Sequence, residues 1–425
     1  MRSLSLVVLL ILGSAILGNL DPTSPDFNPG SFVDDIEPSH SYMEDLSQNG
    51  ICTDKLFTGL VMAKGYPVQT HKIFTMDGFQ LIVFRIQAKG SNFTEPKKIV
   101  FLQHGMMDSS DTWILNDEDK SLAYFLANQG YDVWLGNARG NKYSRAHKIF
   151  GIKDPKYWDF SFHEMGVYDL VSCVDYILKK TKQATMNYIG HSQGASAIFA
   201  ALTDSDTYEF MNKRISKVIG LGPVVYLANQ EVKLLTEISK LPSLDKILNT
   251  LGLYHLFEGG CGEESQINKA QSFICTQVPK LCEFALSIAD PILDLDNVGV
   301  LPHFAKHYPS GTSVKTVLHF LQMMKENKDS PIFRKYDYGA SENMNRYGQE
   351  EPPVYDLSRI KVPIASILCG RDTLSVVRDN SILEENLKKL GVSYKSYFHS
   401  ECGHISFVLH KNPELMYNDV LAELV

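Results

Sequence analysis

The sequence predicts an α/β fold: a mainly parallel sheet flanked by helices and interrupted by a mostly helical insertion. Three observations point there. Strand-like and helix-like segments alternate from about residue 80 to 221 and again from 363 to the C-terminus. Between about residues 224 and 338 that rhythm stops, and little strand pattern remains. The turn Gly190-His191-Ser192-Gln193-Gly194 sits where a strand pattern gives way to a small-residue helix.

The elements follow in order. Met1-Arg2 leads into an apolar run over residues 4–12, and Gly13, Ser14, Ala15 and Gly18 offer small side chains for cleavage. The run is short for a membrane span, so residues 1–18 read as a secretory signal peptide, with an uncleaved anchor as the alternative. Residues 19–54, polar and broken by prolines, form an N-terminal arm. The turn pair Asp77-Gly78 opens a strand over 80–87. There follow a buried strand (99–102), a helix (121–128) and a strand (132–135). Ser161-Phe162-His163-Glu164 is a capping box. It opens a helix whose Val167, Val171, Val174 and Leu178 repeat at helical spacing. A strand (186–189), a helix (195–202) and a strand (217–221) complete the first part of the core, 55–223. The insertion, 224–338, includes a helix at 317–324. The second part, 339–425, holds a buried strand (363–368), a helix (381–390), a strand (394–399) and a closing helix.

Composition narrows the function classes. Forty-nine acidic against 41 basic residues leave a formal net charge of −8, with no basic run of the kind a nucleic-acid partner needs. At 44% hydrophobic and 21% charged the chain is globular, neither fibre nor disordered tail. Of seven cysteines, Cys173 and Cys369 lie in apolar segments and read as small core side chains, whereas Cys261, Cys275 and Cys282 cluster in the insertion. No C-x-x-C pair and no Cys/His set has zinc spacing, so no metal site is expected. Asn92-Phe93-Thr94 is a sequon in a turn between strands, a glycosylation site in a secreted chain.

G-x-S-x-G alone is weak evidence, since chance gives roughly 0.15 matches in a chain this long. Its placement between strand and helix makes it a nucleophile elbow, in which the residues two before and two after the serine must lack bulk. A serine hydroxyl needs a base, and the base needs an orienting acid. In the α/β-hydrolase order the acid and then the histidine follow the serine, each after a strand. Asp372 follows the 363–368 strand through Gly370-Arg371, and His404 follows the last strand in a loop. Asp379 and Glu401 are the alternative acids, although neither directly ends a strand. His399 lies within a strand pattern and His410 within the closing helix, which suits structural roles. The oxyanion donors expected are backbone N–H groups of Gln193, after the nucleophile, and of Met106, after the 99–102 strand in Gln103-His104-Gly105-Met106-Met107. The Met106-Met107 side chains also read as an apolar pocket wall.

At these residues the chain resembles the acid lipase family, the α/β-hydrolases that include gastric lipase and lysosomal acid lipase. Matching stretches are Gly65-Tyr66-Pro67, Thr75-Met76-Asp77-Gly78, Phe101-Leu102-Gln103-His104-Gly105, Asp108-Ser109-Ser110 and the run over residues 131–140. The run over 160–165, the elbow, the run over 309–314 and Gly370-Arg371-Asp372 also match, so the resemblance covers the chain from about residue 55 onward. It implies a charge-relay triad of Ser192, Asp372 and His404, in agreement with the reading from the residues. Three departures stand out. Ser406 occupies the place, two after the histidine, of the family's usual aspartate, and Met106-Met107 replaces a leucine pair. The family's cap disulfide has eight residues between its cysteines. Cys275 and Cys282 have six, so Cys275–Cys282 is the first expectation and a pairing through Cys261 stays open.

The expectation is a secreted serine carboxylic-ester hydrolase acting on lipid esters at a lipid–water interface. Triacylglycerols come first and steryl esters second, with the lysosome as the alternative location. No metal or organic cofactor is expected, and no transmembrane segment in the mature chain. The rival from another class is a catalytically silent lipid-binding or storage protein on the same scaffold, which a complete triad argues against. A dehalogenase would want Asp where Ser192 stands.

Overall fold

A computed structural model describes residues 54–257, 273, 276–277 and 295–424. The signal, nearly all of the arm, and Cys52, Cys261, Cys275 and Cys282 lie outside the described residues. Nine strands form one sheet: β1 (Val68–Phe74), β2 (Phe79–Ile86), β3 (Ile99–Gln103), β4 (Asp132–Leu135), β5 (Ala146–His147), β6 (Met186–His191), β7 (Ile215–Leu221), β10 (Ile364–Cys369) and β11 (Tyr394–His399). Their order is β1-β2-β4-β3-β6-β7-β10-β11, with β5 pairing β2 at the margin. From β4 to β11 every pairing is parallel, while β1, β2, β4 and β5 meet antiparallel. A second sheet is the two-stranded ribbon of β8 (His255–Leu256) and β9 (Thr312–Ser313), inside the stretch between β7 and β10.

The strand sequences explain the layers. In β3, Val100 and Leu102 point to one side of the sheet and Phe101 to the other, as a two-residue period requires. Phe101 packs in the core with Trp134, Tyr188 and Val218, under α3 (Val171–Thr181) and α4 (Gln193–Thr203). Val100 and Leu102 pack in a second core with Ile189 and Ile367, covered by α1 (Lys55–Ala63), α2 (Leu122–Asn128) and the last helix, Glu414–Glu423. Both faces are covered, so these strands are buried throughout rather than alternating.

The capping box forms as its spacing predicts, with the Ser161 N–H donating to Glu164 Oε2 at 2.6 Å. Burial opposes ionisation of Glu164, but Lys315, His163 and backbone N–H groups bring its carboxyl down to about 2. The helix that follows departs from the expected regular α-helix: Met165–Leu170 is π-helical before α3 begins. The extra residue in the turn brings Met165 against the elbow, where its sulfur accepts from Gln193 Nε2 at 3.3 Å. Helix α1 and strand β1 are structure that the hydrophobic pattern did not announce. Among the described residues no helix is long and apolar enough to cross a membrane.

Candidate active site

The C-terminal ends of β3, β6 and β10, and the loop after β11, converge on one edge of the sheet. Each contributes one part of the site.

Ser192 connects β6 to α4 with φ +52° and ψ −116°, a conformation of the left-handed half that a side chain normally avoids. Strain of this kind costs of order 1–3 kcal/mol and persists only where the surroundings over-determine it. Here they do. The Ser192 N–H donates to Leu221 O at 3.0 Å, at the end of neighbouring β7. A Cβ on Gly190 would fall 2.7 Å from the Gly194 carbonyl carbon, and one on Gly194 would fall 2.5 Å from Gln103 O. The two glycines therefore let strand, helix and β3 close around a sharp turn.

Asp372 and His404 meet. His404 Nδ1–H donates to Asp372 Oδ2 at 2.7 Å, and both side chains are buried. The other carboxylate oxygen, Oδ1, accepts the N–H groups of Leu374 at 2.8 Å and Ser375 at 2.7 Å. Those two bonds fix the carboxylate plane independently of the histidine. Gly222 leaves room for the pair, since a Cβ there would lie 3.0 Å from Asp372 Oδ2 and 3.3 Å from His404 Nδ1. His404 is held from behind. Its carbonyl accepts from His191 Nε2–H at 3.0 Å, the rings lying 4.9 Å apart. Burial, assisted by repulsion from His404, drives the His191 pKa down to about 3, so its ring is neutral and serves as a fixed donor. Its Nδ1 has no partner among the described residues.

The rival candidates are engaged elsewhere. Asp379 accepts the N–H of Asn229 at 3.0 Å and its Nδ2 at 2.8 Å, and exposed Glu401 pairs with Arg371 at 2.7 Å. His399 pairs with Asp419 at 2.8 Å, a structural use as expected. His410 does not lie inside the closing helix. It precedes it, bridged to Asp296, because the chain pauses there to pair with residues 295–297.

The Met106 loop leaves β3 through His104. His104 Nε2 accepts the Ala138 N–H at 3.1 Å, so Nδ1 carries the proton and donates to Gly105 O at 2.7 Å. Burial lowers its pKa to about 4, countered in part by the bond to Gly105. Met106 is half-buried against the core, and Met107 turns at φ +59° with its carbonyl accepting from Ser310 N at 2.6 Å. Gln193 is the first residue of α4, so its N–H has no acceptor within the helix. Behind the loop lies a buried polar cluster. Asp111 Oδ2 binds Lys142 Nζ at 2.6 Å and His307 Nδ1 at 2.7 Å, and Asp111 Oδ1 accepts Tyr143 OH at 2.8 Å. Burial opposes ionisation of Asp111, but the Lys142 ammonium and His307 outweigh it and hold the carboxyl well below the carboxylate range. Nearby Asp108, buried without a cation of its own, is pushed up to about 7.

One cysteine reading is corrected. Cys369 is not a lone core side chain: it forms a disulfide with Cys402, Cα–Cα 5.0 Å, joining the end of β10 to the residue two before His404. The sequence separation of 33 residues carries no spacing signal, so only the parallel pairing of β10 with β11 reveals the partner. Cys173 is free and buried as expected. Cys275 and Cys282 lie outside the described residues. Asn92 is exposed in the β2–β3 connection, its Oδ1 accepting from Thr94 Oγ1 at 2.6 Å. Sequence reasoning also missed His191 and Gly222. For Gly222 the one available signal was a Gly-Pro pair directly after a strand.

Residues 57–117 match the family model described as a partial alpha/beta-hydrolase lipase region, and residues 98–247 match that of the alpha/beta hydrolase fold. The chain is 34% identical to gastric triacylglycerol lipase of Bos taurus over 369 residues, covering 84% of this chain and 88% of that one. It is 35% identical to lipase member K of Mus musculus over 381 residues, 85% and 89% of the two chains. To lysosomal acid lipase/cholesteryl ester hydrolase of Homo sapiens it is 32% identical over 373 residues, 84% and 87%.

Proposed function

The chain belongs to the acid lipase family of α/β-hydrolases, and from that premise we propose that it hydrolyses lipid esters through an acyl-enzyme on Ser192. The observation that carries this reading is the Asp372–His404 pair at 2.7 Å, at the same sheet edge as the strained Ser192 turn. Ser192 Oγ attacks the acyl carbonyl while His404 Nε2 takes its proton. Asp372 holds the Nδ1–H tautomer and stabilises the imidazolium. The Gln193 and Met106 N–H groups bind the oxyanion. His404 then protonates the leaving alcohol, and water repeats the sequence to release the fatty acid.

Triacylglycerol is the substrate proposed first, by likeness to gastric triacylglycerol lipase, and steryl esters second, by likeness to the cholesteryl ester hydrolase. Residues 224–338 act as a cap over the pocket, and the enzyme works at a lipid–water interface after secretion, glycosylated at Asn92. The test is hydrolysis of triglyceride, cholesteryl ester and phospholipid emulsions from pH 4 to 9, wild type beside Ser192→Ala. Triglyceride turnover that disappears in a folded Ser192→Ala supports the reading. Substantial turnover in that variant overturns it.

A further inference from the structure

His404 lies in a loop, not in a strand or helix, so something must fix its approach to Ser192. Part of that support is the bond from His191 to its carbonyl and the disulfide two residues before it. A third tie comes from a distant stretch of chain. The Gly403 N–H donates to Ser406 Oγ at 2.9 Å, and Ser406 Oγ–H donates to Asp296 Oδ1 at 2.7 Å, across 110 residues of sequence. Ser406 and Asp296 are both buried.

The chemistry of the hydroxyl makes this tie directional. A serine hydroxyl has one proton to give. With Asp296 accepting that proton in a charge-assisted bond, the lone pairs of Oγ are aimed at Gly403 N–H, and the turn that bears His404 is closed. Without the acceptor the hydroxyl is free to rotate toward a carbonyl of its own short helix, Ser406–Leu409, and release Gly403.

Asp296 is itself clamped. It bridges His410 antiparallel, Asn297 N donates to Leu409 O at 2.6 Å, and Lys411 N donates to Leu295 O at 2.7 Å. Asn116, beyond the Met106 loop, joins the same clip by donating to His410 O at 3.1 Å and accepting from Asn297 Nδ2 at 2.9 Å. Residues 295–297, within the insertion, are thus pinned to both flanks of the site.

We propose that Asp296 and Ser406 are positioning residues for His404, acting as one relay through Gly403, so that this segment of the insertion sets the aim of the base. The inference rests on the esterase reading above and adds residues to it.

The experiment uses the full chain, a soluble p-nitrophenyl butyrate substrate, and active-site titration with a serine-reactive phosphonate to count competent enzyme. Asp296→Leu fills the space of the carboxylate, leaves no buried charge and removes the acceptor. It is expected to lower kcat per titrated site roughly ten- to hundredfold, the range a misplacement near 1 Å produces, with KM within about twofold. Ser406→Ala should do the same, and the double variant should be no worse than either single, because one relay is broken once. Asp296→Asn keeps an oxygen acceptor and should recover most of kcat. Melting temperatures are read beside the rates. A fallen melting temperature with unchanged kcat per titrated site overturns the proposal, as do multiplicative losses in the double variant or an Asp296→Asn as slow as Asp296→Leu. If Ser406→Ala does not fold, Asp296→Leu and the double variant decide alone. A wild type inert on every ester overturns the esterase reading together with this one, whereas an active wild type with fully active variants overturns this one only.

Discussion

The two flanks of the site are built on different principles. On the His404 side, a disulfide, backbone N–H bonds to Asp372 and the bond from neutral His191 hold the groups in place. On the Met106 side, the loop leans on the buried ion pair of Asp111 and Lys142, which His307 joins by a hydrogen bond to Asp111. The first kind of support is covalent or built on hydrogen bonds, with no lysine–carboxylate pair among the groups named. The second rests on buried charges, and each ion in a dry interior is tolerable only while its partner stays charged. The difference teaches where this protein is vulnerable to mutation and to acid.

The largest expected effect follows from the ionic side. Lys142→Met leaves Asp111 as a buried carboxylate with its cation gone, and breaking such a pair costs about 3–5 kcal/mol. Urea unfolding should show a loss of that size. The folded Asp111 pKa is depressed, so the pair's contribution is fully present above the unfolded value of about 3.9 and is lost only as pH falls through the lower folded value. The wild-type cluster should therefore survive at pH 5. Equal stability of Lys142→Met and wild type would remove the basis of the comparison.

A second test asks whether that flank serves the chemistry. Met106→Leu keeps the backbone donor and the apolar wall and should retain most activity. Met106→Pro deletes the N–H, and losing one oxyanion donor typically costs about 10²–10³ in kcat, roughly 3–4 kcal/mol. A folded, phosphonate-reactive Met106→Pro with wild-type kcat would move the second donor elsewhere.

On the opposite flank, the Cys369→Ala/Cys402→Ala double variant should lose about 2–4 kcal/mol, the usual contribution of a disulfide closing a loop of this length. Differential scanning calorimetry reads it. The loss should be the same at pH 4.5 and 7, since no charge is involved. A strongly pH-dependent loss would erase the distinction between the flanks.

The smallest effect is a slope. Folded His104 resists protonation down to about 4, while the unfolded chain takes up that proton below about 6.5. Its stabilisation is present above pH 6.5 and lost as pH falls toward 4, with a slope of at most about 1.4 kcal/mol per pH unit. The melting temperature of His104→Gln should fall less steeply than wild type across that window. Parallel curves would mean that His104 titrates in the fold.

The Ser192 turn and the candidate acid and base were legible because each is a local pattern: a glycine pair around Ser192, an aspartate just after a strand, a histidine just after the next. Ser406 was visible only as a departure, with nothing near it in sequence to name Asp296. The Cys369–Cys402 bond was hidden for the same reason, since its partners become neighbours only when β10 and β11 pair in register.

By itself, then, the sequence determined the α/β layering, the glycine-flanked Ser192 turn and the order of the triad candidates, because hydrophobic period, glycine placement and strand ends are written over a few consecutive residues. Only the tertiary structure decided what holds them: the disulfide, the Ser406–Asp296 bond, the neutral His191 donor, the space at Gly222 and the Asp111 cluster. Each of these joins residues far apart along the chain, and the burial that drives His191 neutral or keeps Lys142 beside Asp111 exists only after the sheet and its helices have packed.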